Sequence, residues 1–148
     1  MRKVNLYSLF ISDRENHRAV LERDGRALPV EVDGVILEAQ FELSDGRVLL
    51  WLTDDSPYDE GLHVYLLGRD DRIEDSLEAG AVFVPGILKI GESGEDWVEF
   101  EFFKNEIFYR LEVSNEAGVR LFLPAGWKYK KLLSTHKLAV REVRKGGA

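Results

Sequence analysis

The chain is expected to be all-β, an antiparallel meander of about ten strands closed into a barrel or split into a two-sheet sandwich. Three observations point there. No window carries a sustained 3.6-residue apolar period. Two-residue alternation recurs from end to end, and Asp-Gly pairs punctuate it at Asp24-Gly25, Asp33-Gly34 and Asp45-Gly46. With 148 residues, 45% hydrophobic and 11% aromatic, the chain has the size and apolar content of one compact domain, so residues 1–148 are read as a single unit.

The first segment, MRKVNLYSLFISD, begins basic and turns apolar. Asn5 and Ser8 interrupt it and no small-residue cleavage site follows, so it reads as a first strand and not as a leader. After it, two-residue turns determine which residues face one another. A turn at Asp24-Gly25 sets Leu21 opposite Leu28, Ala19 opposite Val30 and His17 opposite Val32, with Arg18 meeting Glu31 on the other face. A turn at Asp33-Gly34 pairs Val32 with Val35, Val30 with Leu37 and Leu28 with Ala39. One at Asp45-Gly46 pairs Leu43 with Val48, Phe41 with Leu50 and Ala39 with Leu52. All three registers agree on one apolar face, which defines a four-strand meander over roughly residues 17 to 54.

Farther along, LHVYLLGRDDRIEDSL reads as a hairpin turning near Arg69 to Asp71. In WVEFEFFKNEIFYRLEV a turn at Lys104-Asn105 sets Phe102 opposite Ile107, Phe100 opposite Tyr109 and Val98 opposite Leu111, with Glu99 facing Arg110 outside. Between these hairpins, Glu78 to Glu95 contains two Gly-rich breaks and is the place for the chain to pass between layers. SNEAG and PAG bound the strands VRLFL and WKYKKLL; a last strand spans 137–143, and residues 143–148 form a frayed tail.

Net charge is −7, unevenly spread. From Val119 onward eight Lys and Arg stand against Glu142, giving +7, so residues 1–118 carry −14. Nucleic acid would be repelled by most of such a surface, and the basic strip is expected to lie beside the protein's own acidic strands. The absence of cysteine excludes disulfides, thiolate zinc sites and thiol nucleophiles, and fits a reducing, cytoplasmic compartment. No segment is long and apolar enough to span a membrane as a helix.

Two regions are candidate sites. TDDSPYDEGLH, from Thr53 to His63, gathers Asp54, Asp55, Tyr58, Asp59, Glu60 and His63 at a bend between strands. Asp54, Asp59 and His63 have the chemistry for a metal or an acid and base pair. The stretch lacks the ligand spacing of a calcium loop, and a catalytic zinc generally draws on several histidines. His17 would lie roughly 14 Å from the strand of Asp54 in an open sheet, and only barrel closure would bring the two together. His136, in a Ser-Thr-His turn, is expected to be exposed. Nucleophile elbows, phosphate-cradling glycine loops and dinucleotide fingerprints are absent, so no catalytic residue, metal or cofactor is assigned.

The second region follows from the third hairpin, whose register turns Leu49 and Trp51 outward beside Gln40 and Glu42; Phe108 likewise faces outward opposite Glu101. Cover by another segment, a homodimer or a binding surface would each account for Leu49 and Trp51. Trp127 and Tyr129 are expected to face the core, with Lys128 and Lys130 in solvent. These features describe a non-enzymatic domain that contacts another protein. The alternatives are a small-ligand barrel and a metal-dependent enzyme using the acidic loop.

Overall fold

The computed structural model describes residues 1–56, 60–80, 86–103, 106–118, 122–131 and 135–143. It is all-β. The strands are β1 (Arg2–Lys3), β2 (Tyr7–Asp13), β3 (Arg18–Arg23), β4 (Arg26–Asp33), β5 (Ile36–Glu42), β6 (Val48–Thr53) and β7 (Leu62–Leu67). There follow β8 (Ile73–Ala79), β9 (Gly86–Ser93), β10 (Trp97–Phe103), β11 (Phe108–Gly118), β12 (Trp127–Tyr129) and β13 (His136–Val143). Every pairing is antiparallel. Among the described residues no helix is long and apolar enough to cross a membrane.

Three sheets form a layered sandwich, and among the described residues no barrel closes. The central sheet has the order β1-β5-β6-β7-β8-β12, with β13-β11-β10-β9 and β2-β3-β4 as the other two. The composition of the two cores places the layers. Leu49, Trp51, Leu62 and Val64 of the central sheet pack with Phe100, Tyr109, Leu111 and Leu138 of the four-stranded sheet. Val48, Leu50, Leu52 and Tyr65, from the opposite face, pack with Tyr7, Ala19, Leu21 and Val32 of the three-stranded sheet. Strands β6 and β7 are therefore buried at every residue. Double-sided burial explains why VLLWLT and LHVYLL are nearly continuous apolar runs.

The outward placement of Leu49 and Trp51 is overturned, because both are fully buried. Asp45-Gly46 is not a two-residue turn. Gly46 N donates to Leu43 O and Leu43 N to Arg47 O, and of the pair only Gly46 has positive φ, at 89°. That is a three-residue turn ending in a left-handed glycine. It shifts the pairing by one residue, so Phe41 faces Leu49, Gln40 faces Leu50 and Ala39 faces Trp51. A one-residue shift exchanges faces, and Trp51 enters the larger core edge-on to Phe100 at 4.9 Å between ring centroids.

The meander over 17 to 54 is also corrected. Asp24-Gly25 is a two-residue turn with both φ positive, at 53° and 76°, and pairs Arg23 with Arg26. Farther from the turn Val20 faces Glu31 and Ala19 faces Val32, two residues off the expected register. Pro29 lies in this irregular stretch, where its missing N–H removes a ladder donor. A two-residue shift preserves the face, which is why the apolar pattern did not expose it. Asp33-Gly34 is not a hairpin turn at all: β4 and β5 belong to different sheets. At this crossing Gly34 N donates to His17 O at 2.6 Å and Val35 N to Thr53 O at 2.9 Å. Gly34 has φ +116°, and a Cβ there would stand 2.7 Å from Leu52 Cβ, so backbone conformation and space both require glycine.

In the β10–β11 hairpin the expected register holds from Val98 to Phe100. Val98 faces Leu111, Phe100 faces Tyr109, and Glu99 meets Arg110 at 2.5 Å. SNEAG is not a turn, because β11 runs through it to Gly118, and of the described part of WKYKKLL only Trp127–Tyr129 is strand. The turn pair Lys104-Asn105, residues 119–121 of the VRLFL segment, and 144–148 of the expected tail lie outside the described residues. The β7–β8 hairpin turns through Gly68 to Arg72, and the passage between layers falls between β8 and β9. The basic C-terminal strip does pair with the protein's own acidic strands: Lys128 with Glu78, Lys137 with Glu74 and Arg141 with Glu112.

Candidate functional site

A polar cluster caps one end of the smaller core, where the chain crosses from the three-stranded to the central sheet. Parity along β7 puts His63 on the face shared by Tyr65 and Leu67. Glu78 stands opposite it on β8. Asp33 ends β4 at the crossing, and Asp54 directly follows β6. From the edge strand β12, the alternation that buries Trp127 and packs Tyr129 on the larger core sends Lys128 and Lys130 to this opposite face.

Lys130 is therefore not in solvent as expected. Its Nζ donates to Asp33 Oδ2 at 2.7 Å, His63 Nδ1 at 2.8 Å and Glu78 Oε2 at 3.0 Å. An ammonium has three donors and no acceptor, so His63 Nδ1 accepts and the ring proton sits on Nε2. That proton is donated to Asp54 Oδ1 at 2.8 Å. The outer oxygens are held as well, Asp33 Oδ1 by Arg18 at 2.6 Å and Glu78 Oε1 by Lys128 at 2.9 Å. Burial acts to raise the Asp33 carboxyl, but the hydrogen bond and charge of Lys130, with the charge of Arg18, outweigh it and leave it below its ordinary value. Glu78 is likewise lowered: burial opposes, and Lys128 and Lys130 prevail. The Tyr65 hydroxyl accepts from Asp33 N at 2.8 Å, and burial pushes its pKa upward.

His17 joins this cluster, with Nδ1 at 3.9 Å from Asp54 Oδ2. The separation expected for an open sheet is corrected without barrel closure. Because the chain crosses from the three-stranded sheet to the central sheet at Gly34, the start of β3 lies over the end of β6.

The acidic loop divides. Asp54 and His63 meet directly. Glu60 accepts from the backbone N–H of Asp54 at 2.6 Å and of Ser56 at 3.2 Å, which makes it a brace for the bend. Asp55 is exposed with φ +57°, and Tyr58 and Asp59 lie outside the described residues. Both His63 ring nitrogens are occupied, so this arrangement has no free lone pair for general-base work. Chemically it is a cation cage filled by the chain's own ammonium. An internal lysine was the signal missed in the sequence, because Lys130 alternates with core aromatics as an exposed residue would.

His136 is buried, not exposed. Its Nδ1 donates to Asp75 Oδ1 at 3.0 Å, and its ring stacks on Tyr129 with 3.5 Å between centroids. Asp75 also accepts from the backbone N–H of Ser76, Lys137 and Leu138. This carboxylate joins β8 of the central sheet to β13 of the four-stranded one.

A second candidate lies on the outer face of the four-stranded sheet. A cleft of about 420 Å³ crosses it, with Phe108 and Val143 on one side and Lys89, Glu92 and Glu101 on the other. Past Lys89 and Glu101 it continues into a hollow of about 360 Å³ beside Ile87, Phe103 and Glu106. Phe108 thus lines the outer face, as its register implied, and Ile87 is 52% exposed. Comparison of the chain with protein-family models, curated proteins and solved structures returns no match.

Proposed function

We propose that this chain acts by binding another protein, without chemistry of its own, through the outer face of the four-stranded sheet. The observation that carries this reading is the groove along β9 and β10, whose apolar walls Phe108, Val143 and Ile87 are rimmed by Glu92, Glu101 and Glu106 with Lys89 as the cation among them. An apolar floor with a carboxylate rim favours an extended segment that carries apolar anchors between basic residues. The charge of −14 over residues 1–118 adds a long-range attraction for such a partner. A chain without cysteine suits a reducing, cytoplasmic setting for this encounter.

Two observations favour this reading over the ligand barrel and the metal-dependent enzyme. A ligand barrel would need a closed sheet, whereas the described strands form three open sheets around two apolar clusters. The metal-dependent enzyme draws on Asp54, Asp59 and His63; with His63 Nε2 given to Asp54 and Nδ1 to Lys130 the ring is not poised as a general base, and Asp59 lies outside the described residues. The test is titration with a peptide alternating arginine and leucine, followed by backbone amide NMR. Binding should perturb β9 and β10, weaken in Phe108→Ala, and fail for the same peptide with glutamate in place of arginine. Equal response to both peptides, or perturbation confined to another face, contradicts the reading. Self-association mapped to this groove would replace the peptide partner with a second copy.

A further inference from the structure

We infer that Asp33, His63 and Glu78 form a binding site for a divalent first-row transition metal ion, and that the Lys130 ammonium is its resident, displaceable occupant. Asp33 Oδ2, His63 Nδ1 and Glu78 Oε2 lie within 4.8 Å of one another, and Lys130 Nζ sits among them at 2.7–3.0 Å. Metal–ligand bonds to nitrogen and oxygen are about 2.0–2.2 Å long. Replacing the ammonium therefore asks each ligand to move inward by less than about 1 Å. One imidazole with two carboxylates suits zinc or cobalt better than magnesium, which keeps to oxygen and water.

What sets this cage apart from an ordinary lysine–carboxylate contact is the outer ring of partners. Asp54 accepts the Nε2 proton of His63 and so holds the Nδ1 lone pair toward the centre, the carboxylate–histidine arrangement that tunes metal-bound imidazoles. Each acidic ligand has one oxygen turned inward and the other anchored outside, Asp33 by Arg18 and Glu78 by Lys128. All three ligands are presented singly and are already oriented. They also stand on strands or at a strand end, with β7 and β8 paired directly at His63 and Glu78. Lys130 itself follows the short edge strand β12, its backbone N–H held by Ser76 O at 3.2 Å, so its side chain can swing out without moving the sheet. A dication would place two positive charges between the carboxylates where the lysine places one.

The experiment is titration of the whole chain with cobalt(II), read by visible absorption, followed by zinc competition, with magnesium as a control. One cobalt should bind per chain, and zinc but not magnesium should displace it. Lys130→Met should bind about tenfold more tightly or better, since no ammonium has to leave first. His63→Asn should weaken binding roughly tenfold or more in either background. If neither the wild type nor Lys130→Met binds one equivalent, or if His63→Asn leaves binding intact, the inference is overturned. Should Lys130→Met fail to fold, the wild type decides by nitrogen NMR. Zinc must then shift the His63 ring nitrogens while leaving those of His136 in place, and an unshifted His63 overturns the site. None of these readouts involves the peptide groove.

Discussion

His63 and His136 are both buried, and each faces an aspartate, yet their surroundings differ in kind. Around His136 the carboxylate of Asp75 is saturated by three backbone N–H groups and one ring N–H, all fixed by the fold. Around His63 the second ring nitrogen faces a lysine, the one cation among the described residues that reaches Asp33 and Glu78 and also touches the ring. The first arrangement has no exchangeable member, because removing any partner strands a buried polar group. In the second, the central occupant is the tip of a flexible side chain whose role another cation can take. A histidine paired with an aspartate is thus by itself neutral about function; what the other nitrogen and the other carboxylate oxygens touch decides.

The largest expected effect is on the fixed pair. Asp75→Ala should cost about 3 to 5 kcal/mol in urea unfolding, since it leaves His136 and several backbone donors buried without an acceptor. A loss of less than about 1 kcal/mol would place Asp75 among ordinary surface carboxylates. Next comes the crossing that brings Asp33 and His17 to the cluster. Gly34→Ala should cost about 2 to 3 kcal/mol, because the new Cβ meets Leu52 and the residue keeps a left-handed φ. The His63 ring resonances should move in this variant while those of His136 stay, and equal displacement of both would show that the crossing does not govern the cluster separately.

The smallest effect falls on the exchangeable occupant. Lys130→Met should cost about 1 to 2 kcal/mol at neutral pH. Its clearer signature is in acid. Asp33 and Glu78 are held below their ordinary values of 3.8 and 4.5, and a depressed carboxyl stabilises the fold above its ordinary value and loses that contribution as pH falls through the folded one. Wild-type stability should therefore decline as pH drops below 4.5, and in Lys130→Met the decline should be shallower, as followed by urea midpoints across that range. An unchanged slope would mean that Lys130 does not hold the two carboxylates ionised.

Much of the fold was legible because hairpins with short turns carry their own register. The β10–β11 pairing followed from alternation and from Glu99 opposite Arg110, and the structure has those partners. Two of the failures share a cause: Asp-Gly specifies a turn without specifying which turn. Asp24-Gly25 places both residues at positive φ, Asp45-Gly46 only its glycine, and Gly34 serves a crossing between sheets. The second of these shifted β6 by one residue and made the core residues Leu49 and Trp51 look like a surface. The unbroken apolar runs of β6 and β7 were the available sign of burial on both faces. The polar cluster was half legible. Asp54 and His63 lay within one loop, but Asp33, Glu78 and Lys130 come to them only through sheet pairing and the crossing at Gly34, which no local pattern encodes.

The difference between the two histidines is most directly read by long-range proton–nitrogen correlation NMR of the imidazole rings at neutral pH. With Lys130 donating to Nδ1, His63 must carry its proton on Nε2, whereas His136, donating to Asp75 from Nδ1, must carry it there. Opposite protonation patterns in the two rings are the predicted result. A proton on Nδ1 of His63 would mean that Lys130 does not donate to the ring, and would contradict the account of the cluster as a cage filled by its own lysine.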